Sequence, residues 1–252
     1  MSHISFSELK EWTVCPWKHK LKYIDKIKQF KGNEYTAFGT ALHTVCETIA
    51  LHNDKEFFDW SSYNSEEHFE SEFLINLQKL KSADPEFEFK PKLVSDMREQ
   101  GKFLTQHILP GLQKSFGKFE LVAVEEDLYE SIKDQNKNFK GFIDLVLHTP
   151  DDGKYHIIDW KSCSWGWDTR KKTEKMITYN DVLTHFALLK RTAKKDHVEI
   201  FKVSNGSKKI NNALKLLYKA NYNINKKNYI KNKLSCYGRY GACEFLKSQH
   251  CK

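Results

Sequence analysis

Residues 141 to 162, GFIDLVLHTPDDGKYHIIDWKS, constrain the fold of this chain more than any other stretch. Two apolar runs flank Asp152-Gly153, a dipeptide that strongly favours a β-hairpin turn. Each run carries a carboxylate among apolar neighbours, Asp144 in the first and Asp159 in the second, and Lys161 follows two residues after Asp159. The pattern predicts a largely buried hairpin that nevertheless carries charge.

The spacing of the charged residues indicates a metal site. Side chains alternate between the two faces of a strand, so Asp159 and Lys161 share one face while Ile158 and Trp160 point to the other. If the turn pairs the strands, Asp144 approaches Asp159, and two close carboxylates recruit a proton or a cation. A hard divalent cation such as Mg²⁺ takes oxygen ligands together with substrate phosphates. Lys161 would then stabilise the negative charge of phosphodiester hydrolysis. The alternative is a solvated Lys–Asp pair, which the apolar neighbours disfavour because buried charge is costly unless paired or metal-bound.

The rest of the chain contains helical patterns at both ends and strand patterns in the middle. Helices are predicted from the Ser5–Glu8 capping box, through 17–24, and over 36–52, 66–81, 92–113, 173–191 and 208–226. Strands are predicted over 119–130, 138–148, 154–161 and 197–203. This order predicts a mixed α/β or α+β layer structure. We expect a single domain over 1–252, with a helical insertion at 53–115, a catalytic sheet core at 116–204, and a basic helix and cysteine-rich C-terminus at 205–252.

The charge of the chain favours an anionic partner. The formal net charge is +8, and nucleic acid is the first candidate. Residues 200 to 243 hold nine Lys, one Arg and no acid; together with several tyrosines they suit a surface that tracks phosphates and stacks on unpaired bases. The alternative is a solvated lysine-rich helix. Residues 53 to 89 are acidic, and form either a solvated cap or a docking site for a protein partner.

We expect no membrane association. No run reaches the roughly 18 consecutive apolar residues of a membrane span, and the first residues lack the apolar core of a secretory signal. A cytoplasmic location is predicted.

Four motifs together resemble the PD-(D/E)XK nuclease superfamily. They are Gly141-Phe-Ile-Asp144, Ile157-Ile-Asp159-Trp-Lys161, Phe38-Gly-Thr-Ala-Leu-His43, and Ser5-Phe-Ser-Glu-Leu9 with Cys15-Pro16 and Tyr23. The chain is most similar to the RecB-like branch, which includes the nuclease domains of RecB and AddB and the CRISPR-associated and phage exonucleases. The resemblance implies a restriction-endonuclease-like fold, in which flanking helices cover a central mixed β-sheet.

The resemblance also implies an activity and its residues. Asp144, Asp159 and Lys161 would be catalytic, and His43, Asp144, Asp159 and the backbone carbonyl of Trp160 would bind Mg²⁺ or Mn²⁺. The implied enzyme is a metal-dependent deoxyribonuclease. It would be an exonuclease that acts on single-stranded DNA or duplex ends in recombination, repair or phage DNA metabolism.

Some residues near these motifs keep two interpretations. Taken alone, His43 would pair with Glu47 one helical turn away. Glu125 and Glu126 lie on the strand before Asp144, and either assist the metal ligands indirectly or are ordinary half-exposed glutamates.

DNA contacts are expected beyond the hairpin. The branch carries a Gln-x-x-x-Tyr pattern on its next helix, where this chain has Val182 and Phe186 instead. Phosphate contacts are therefore expected from Lys171, Lys172 and Lys175. Trp165 and Trp167 would either stack on bases or cover the edge of the sheet.

Four of the six cysteines lie near the two ends of the sequence, one in the first 20 residues and three in the last 20. Cys15, Cys236, Cys243 and Cys251 resemble the arrangement in iron–sulfur members of the RecB-like branch, which implies a [4Fe–4S] cluster held by four thiolates. The late spacing here is longer than the Cys-x₂-Cys-x₅-Cys that is usual there. Zn²⁺ bound by four thiolates and free cysteines in a frayed tail remain alternatives. Cys46 and Cys163 are expected to be apolar fillers.

Two other functions fit the same sequence. One is a non-catalytic nucleic-acid-binding protein, which the complete set of Asp144, Asp159 and Lys161 disfavours. The other is a nuclease subunit that is active only with a helicase or recombinase partner. The lysine-rich composition suits a phage protein that acts in the host cytoplasm.

Overall fold

A computed structural model describes residues 3–27, 31–53, 62–132, 137–167, 182–203, 206–238 and 241–251. These residues form two compact units. Unit 1 comprises Met1–Lys31, Asp127–Phe142 and Ile210–Lys252, and unit 2 comprises Gly32–Glu126 and Ile143–Lys209. The single domain that the sequence suggests over 1–252 remains a prediction.

Unit 2 begins with four helices, which agree with the predicted helical region. They are α3 (Glu34–Asn53), α4 (Ser65–Ala83), α5 (Pro91–Thr105) and α6 (Ile108–Phe116). The side chain of Asn64 caps α4 by accepting from the backbone N–H groups of Glu66 and Glu67, which have no partners within the helix. Pro91 begins α5, at a position where a missing N–H does no harm.

The helix predicted over 92–113 is two helices, because Pro110 cannot lie in the interior of one. A proline there would remove a hydrogen bond and collide with the preceding turn. The chain instead ends α5 at Thr105 and begins α6 at Ile108, which places Pro110 in the first turn of α6.

The strands of unit 2 form a mixed sheet, as the predicted fold class requires. They belong to β2 (Glu120–Ser131), β3 (Asn138–Thr149), β4 (Lys154–Cys163), β5 (Leu183–Lys190) and β6 (Val198–Val203). The order is β3-β4-β5-β6, with β2 paired to β3. Strands β4 and β5 are parallel, whereas β3–β4 and β5–β6 are antiparallel. The predicted hairpin is confirmed: Gly153 turns between β3 and β4 with a φ of 65° and its N–H bonds Thr149 O at 2.9 Å.

The helix predicted over 173–191 is wrong for its last part, where the structure has β5. Residues 183–190, LTHFALLK, are buried almost throughout. A central strand covered on both faces is a continuous apolar run without alternation, and its sequence resembles that of a buried helix. The parallel pairing with β4 decides the outcome over local propensity. Residues 168–181 lie outside the described residues.

The core of unit 2 lies between the helices and one face of the sheet. Phe38 and Leu42 of α3 and Phe69 of α4 pack with Leu145 of β3 and Trp160 of β4, all of them fully or almost fully buried. Alternation along β3 and β4 explains this arrangement, since Leu145, Leu147, Ile158 and Trp160 all point into the core. Asp144 and Asp159 lie at the intervening positions.

Unit 1 is built from three separate stretches of the chain. It contains β1 (His3–Ser5), α1 (Phe6–Val14), α2 (Pro16–His19) with a π-helical turn at Lys20–Ile24, most of α7 (Ser207–Asn225), and a small hairpin of β7 (Tyr237–Gly238) and β8 (Gly241–Ala242). Strand β1 runs parallel to the start of β3. The hydrophobic core of unit 1 brings together residues from three distant parts of the sequence: Ile4, Leu9, Trp12, Ile132, Leu217, Ala220 and Ile224.

The first helix begins as the capping box predicts. Ser5 Oγ accepts a hydrogen bond from the backbone N–H of Glu8 at 3.1 Å. The Glu8 carboxylate contacts buried His19 Nε2 at 2.8 Å, so the helix start and α2 share a buried polar pair.

Candidate active site

The two carboxylates of the hairpin lie on neighbouring strands. Leu145 pairs with Ile158 at the end of the antiparallel ladder, so Asp144 and Asp159 are the residues next to this last pair, one on each strand. Asp144 Oδ2 accepts a hydrogen bond from the backbone N–H of Trp160 at 2.8 Å. This bond fixes the Asp144 carboxylate beside β4, next to the residue that follows Asp159.

Asp159 occupies an electrostatically unfavourable position. Burial raises the pKa of its carboxyl group, and the charge of Asp144 raises it further, while Lys161 and His43 act in the opposite direction. The fold therefore holds two carboxylates close together and partly removed from solvent, an arrangement that disfavours their charged forms.

The Lys161 ammonium relieves part of this repulsion. It forms an ion pair with Asp159 Oδ2, and it donates to the backbone carbonyl oxygen of Trp160 at 3.0 Å. The amine thus contacts a carboxylate oxygen of Asp159 and the carbonyl oxygen of Trp160, both of which are predicted metal ligands.

Helix α3 brings His43 to the same place. His43 Nδ1 lies 3.8 Å from Asp144 Oδ2. The helix lies beside β4 at Gly39, where an added Cβ would make an ordinary van der Waals contact, 3.4 Å from Ser162 Oγ.

Two glutamates lie beside His43. Within the part of the chain that the structure describes, ligand atoms of His43, Glu47 and Glu125 all lie within 4.8 Å of one another. The pKa of Glu47 is raised to about 7 by burial, by the charge of Glu125, by a hydrogen bond with Glu125, and by Asp144. Glu125 has a φ of 50°, rare for a residue other than glycine.

The predicted DNA contacts divide into three outcomes. The Trp165 side chain is 79% exposed. Trp167 packs on Phe186, with ring centroids 5.0 Å apart, and on Phe201, so it covers the sheet. Lys171, Lys172 and Lys175 lie outside the described residues.

The one early and three late cysteines all belong to unit 1. Cys15 ends α1, and its Sγ accepts from the backbone N–H of Asn232 at 3.3 Å. The hairpin of β7 and β8 separates Cys236 from Cys243, and the N–H of Cys243 bonds Cys236 O at 2.8 Å. The pKa of Cys251 is raised by burial, against the charge of Lys231, and the thiols of Cys236, Cys243 and Cys15 raise it further. The thiol of Cys251 therefore lies within electrostatic range of the other three, and none of the four forms a disulfide.

Nearly the whole chain matches a known family. A family model for the PD-(D/E)XK nuclease superfamily matches residues 3–249. The chain belongs to this superfamily. A search of curated proteins found no match.

Membership in the superfamily implies a metal-dependent nuclease with DNA as its substrate. The mixed sheet with flanking helices agrees with the restriction-endonuclease-like fold. Among the helices in the described ranges, none combines the length and apolar character needed to cross a membrane.

The sequence indicates the two glutamates only weakly. Glu47 follows His43 by one turn of α3, so the spacing places both on one face of the helix, but it predicts no more than a pair. Glu125 lies on the strand before Asp144, from which the sequence predicts either an assisting or an ordinary half-exposed glutamate, and nothing in the sequence distinguishes it from Glu126.

Proposed function

We propose that this chain is a Mg²⁺- or Mn²⁺-dependent deoxyribonuclease of the RecB-like branch. We further propose that it is an exonuclease acting on single strands or duplex ends. The observation that carries the proposal is the meeting of Asp144, Asp159, His43 and Lys161 within one unit of the structure. A nucleic-acid-binding protein without catalysis has no need to hold two carboxylates in so unfavourable a position.

The donor set fits a hard divalent cation. Asp144, Asp159 and the Trp160 carbonyl offer oxygen ligands, and His43 offers a nitrogen. Repulsion between the carboxylates, and the burial that raises the pKa of Asp159, are both relieved when a cation binds. Such a cation supplies Lewis-acid activation of a water molecule and neutralises charge at the scissile phosphate.

The side chains of the site have separate tasks in this proposal. The backbone N–H of Trp160 orients Asp144, and Asp159 anchors the ammonium of Lys161. Lys161 stabilises the negative charge that develops on the phosphate. Glu47 and Glu125, which share a hydrogen bond, would complete the ligand set or accept a proton from the attacking water.

The decisive experiment follows cleavage of end-labelled DNA with Mg²⁺ or Mn²⁺. Asp159→Asn and Lys161→Ala should each lower the rate by about 100-fold or more. Asp151→Asn changes an exposed acid in the turn of the same hairpin and should leave the rate unchanged. Equal rates in all three variants and the wild type would exclude this site.

The DNA substrate decides the finer class. An exonuclease degrades linear single strands and leaves circular ones intact, and labels at the two ends report its polarity. Cleavage of circles would identify an endonuclease. Cleavage that requires an added helicase or recombinase would identify a subunit, and tight binding without cleavage would identify a non-catalytic protein.

The thiols of unit 1 are the second part of the proposal. We propose that Cys15, Cys236, Cys243 and Cys251 hold a [4Fe–4S] cluster, which would tie the two ends of the chain together. Anaerobically purified protein should then be brown and contain iron and sulfide, and Cys251→Ser should lose both. Cys163→Ser, in unit 2, serves as the control and should retain them. Zinc in place of iron would favour a four-thiolate zinc site, and absence of both metals would refute a metal role.

A further inference from the structure

The outer face of α7, together with Lys226 just beyond its last residue, carries a row of exposed cations; the N–H of Lys226 still bonds Tyr222 O at 3.0 Å. Asn212, Lys215, Lys219, Tyr222 and Lys226 follow one another at alternating spacings of three and four residues, and all are exposed. Residues with this spacing lie along one side of a helix, and this row extends for about 21 Å. The opposite side is buried in the core of unit 1 and carries Ala213, Leu217, Ala220 and Ile224.

Several lysines elsewhere in unit 1 have carboxylate partners. Lys18 and Lys22 form ion pairs with Glu11, and Lys140 pairs with Asp127. Among the described residues, by contrast, no carboxylate pairs with any lysine of the row. The sequence from 200 to 243 contains no Asp or Glu at all. The positive charge of this face is therefore uncompensated locally.

The placement of the lysines does not serve the stability of α7 itself. Lys215 and Lys219 are like charges one turn apart, which repel each other. The first turn of α7 has no acid and contains Lys208 and Lys209, although the helix dipole disfavours cations at that end. Because these lysines destabilise the helix that carries them, we infer that they serve to bind an anionic partner.

Tyr222 indicates which anion. Its side chain is 60% exposed and lies between Lys219 and Lys226 in the row. Cations interleaved with an exposed aromatic ring fit a single strand, whose phosphates pair with lysines while an unpaired base stacks on the ring. The bases of a duplex offer no free face to such a ring.

We propose that the outer face of α7 is a binding surface for single-stranded DNA, formed by residues other than those that cleave it. The choice of DNA rests on the proposed function. Strand binding can be measured with EDTA present, where no cleavage occurs, so it succeeds or fails independently of nuclease activity.

The test uses the full chain and a fluorescein-labelled oligo(dT) of about 20 nucleotides, with anisotropy measured over a range of KCl concentrations. For a single strand, each phosphate contact contributes about −0.7 to the slope of log K against log salt. The triple variant Lys215→Ala/Lys219→Ala/Lys226→Ala should make the slope shallower by about 2 and weaken binding at least tenfold at low salt.

A matched control removes the same charge from unit 2. Lys79→Ala/Lys92→Ala/Lys118→Ala replaces three exposed lysines, so net charge falls equally. Far-ultraviolet circular dichroism should show both triple variants to be folded. If both lose the same affinity and slope, the row is no site and the proposal is refuted.

Tyr222 separates single-strand binding from general attraction to polyanions. Tyr222→Ala should weaken oligo(dT) binding about tenfold with an unchanged salt slope, whereas Tyr222→Phe should bind as the wild type does. If Tyr222→Ala has no effect and duplex DNA competes equally well, the single-strand assignment is wrong.

Discussion

His185 should make the folded protein sensitive to acid. Its ring is buried on β5, 5.2 Å from the ring of His156 and 5.2 Å from that of Phe116, centroid to centroid. Burial lowers its pKa from an ordinary 6.5 to about 4, and charge on His156 and on Lys202, its cross-strand neighbour, adds to the effect. Replacing His185 with Phe removes the titrating group while keeping an aromatic ring of similar size.

The direction follows from proton uptake. Between pH 6.5 and about 4 the unfolded chain protonates this histidine and the folded protein does not, so the free energy of unfolding falls as the pH falls through this window. The pKa falls by about 2.5 units, and each unit corresponds to about 1.36 kcal/mol, so the full effect on the free energy of unfolding is about 3.4 kcal/mol. Lys202 is exposed and its charge is screened, so we expect about 1 to 2 kcal/mol between pH 6.5 and 4.5.

Urea unfolding of the wild type and of His185→Phe, at several pH values from 8 to 4.5, measures this contribution. Between pH 6.5 and 4.5 the free energy of unfolding of the wild type should fall by about 1 to 2 kcal/mol more than that of the variant. Above pH 7 the two free energies should depend on pH in the same way. His156 remains in the variant, and burial lowers its pKa too, so some acid sensitivity persists. Identical slopes throughout would show that His185 titrates normally in the folded protein.

Three further substitutions probe packing, capping and the site. Gly101→Ala should lower the free energy of unfolding by about 1–3 kcal/mol in urea titrations, because the new Cβ would overlap the Phe69 ring. Ser5→Ala removes the cap of α1 and should cost about 1 kcal/mol in the same assay. Lys161→Gln should bind Mg²⁺ about tenfold more tightly in calorimetric titrations without DNA, because the ammonium no longer competes for Asp159; unchanged or weaker binding would contradict this competition.

The hairpin and its acids could be predicted from sequence because local rules determine them. The Asp152-Gly153 turn fixes the pairing, and strict alternation fixes which side chains face the core. The restriction-endonuclease-like fold followed from these motifs in order.

Other features depend on contacts that no local pattern reveals. β5 is a strand because it pairs with β4 and is covered on both faces, while its sequence also suits a buried helix. Glu125 comes within 4.8 Å of His43 and Glu47 through tertiary packing that strand alternation does not anticipate. In both cases tertiary structure outweighs propensity.

The three-part composition of unit 1 has a consequence for biosynthesis. Chains fold from the N-terminus as they leave the ribosome, and the residues of unit 2 have all been made once residue 209 has been added. Ile4, Leu9 and Trp12 must wait for Leu217 and Ile224 before their core closes. A nascent or truncated product that lacks Leu217 and Ile224 therefore exposes the apolar side chains of Ile4, Leu9 and Trp12, which makes it a target for chaperones and proteases.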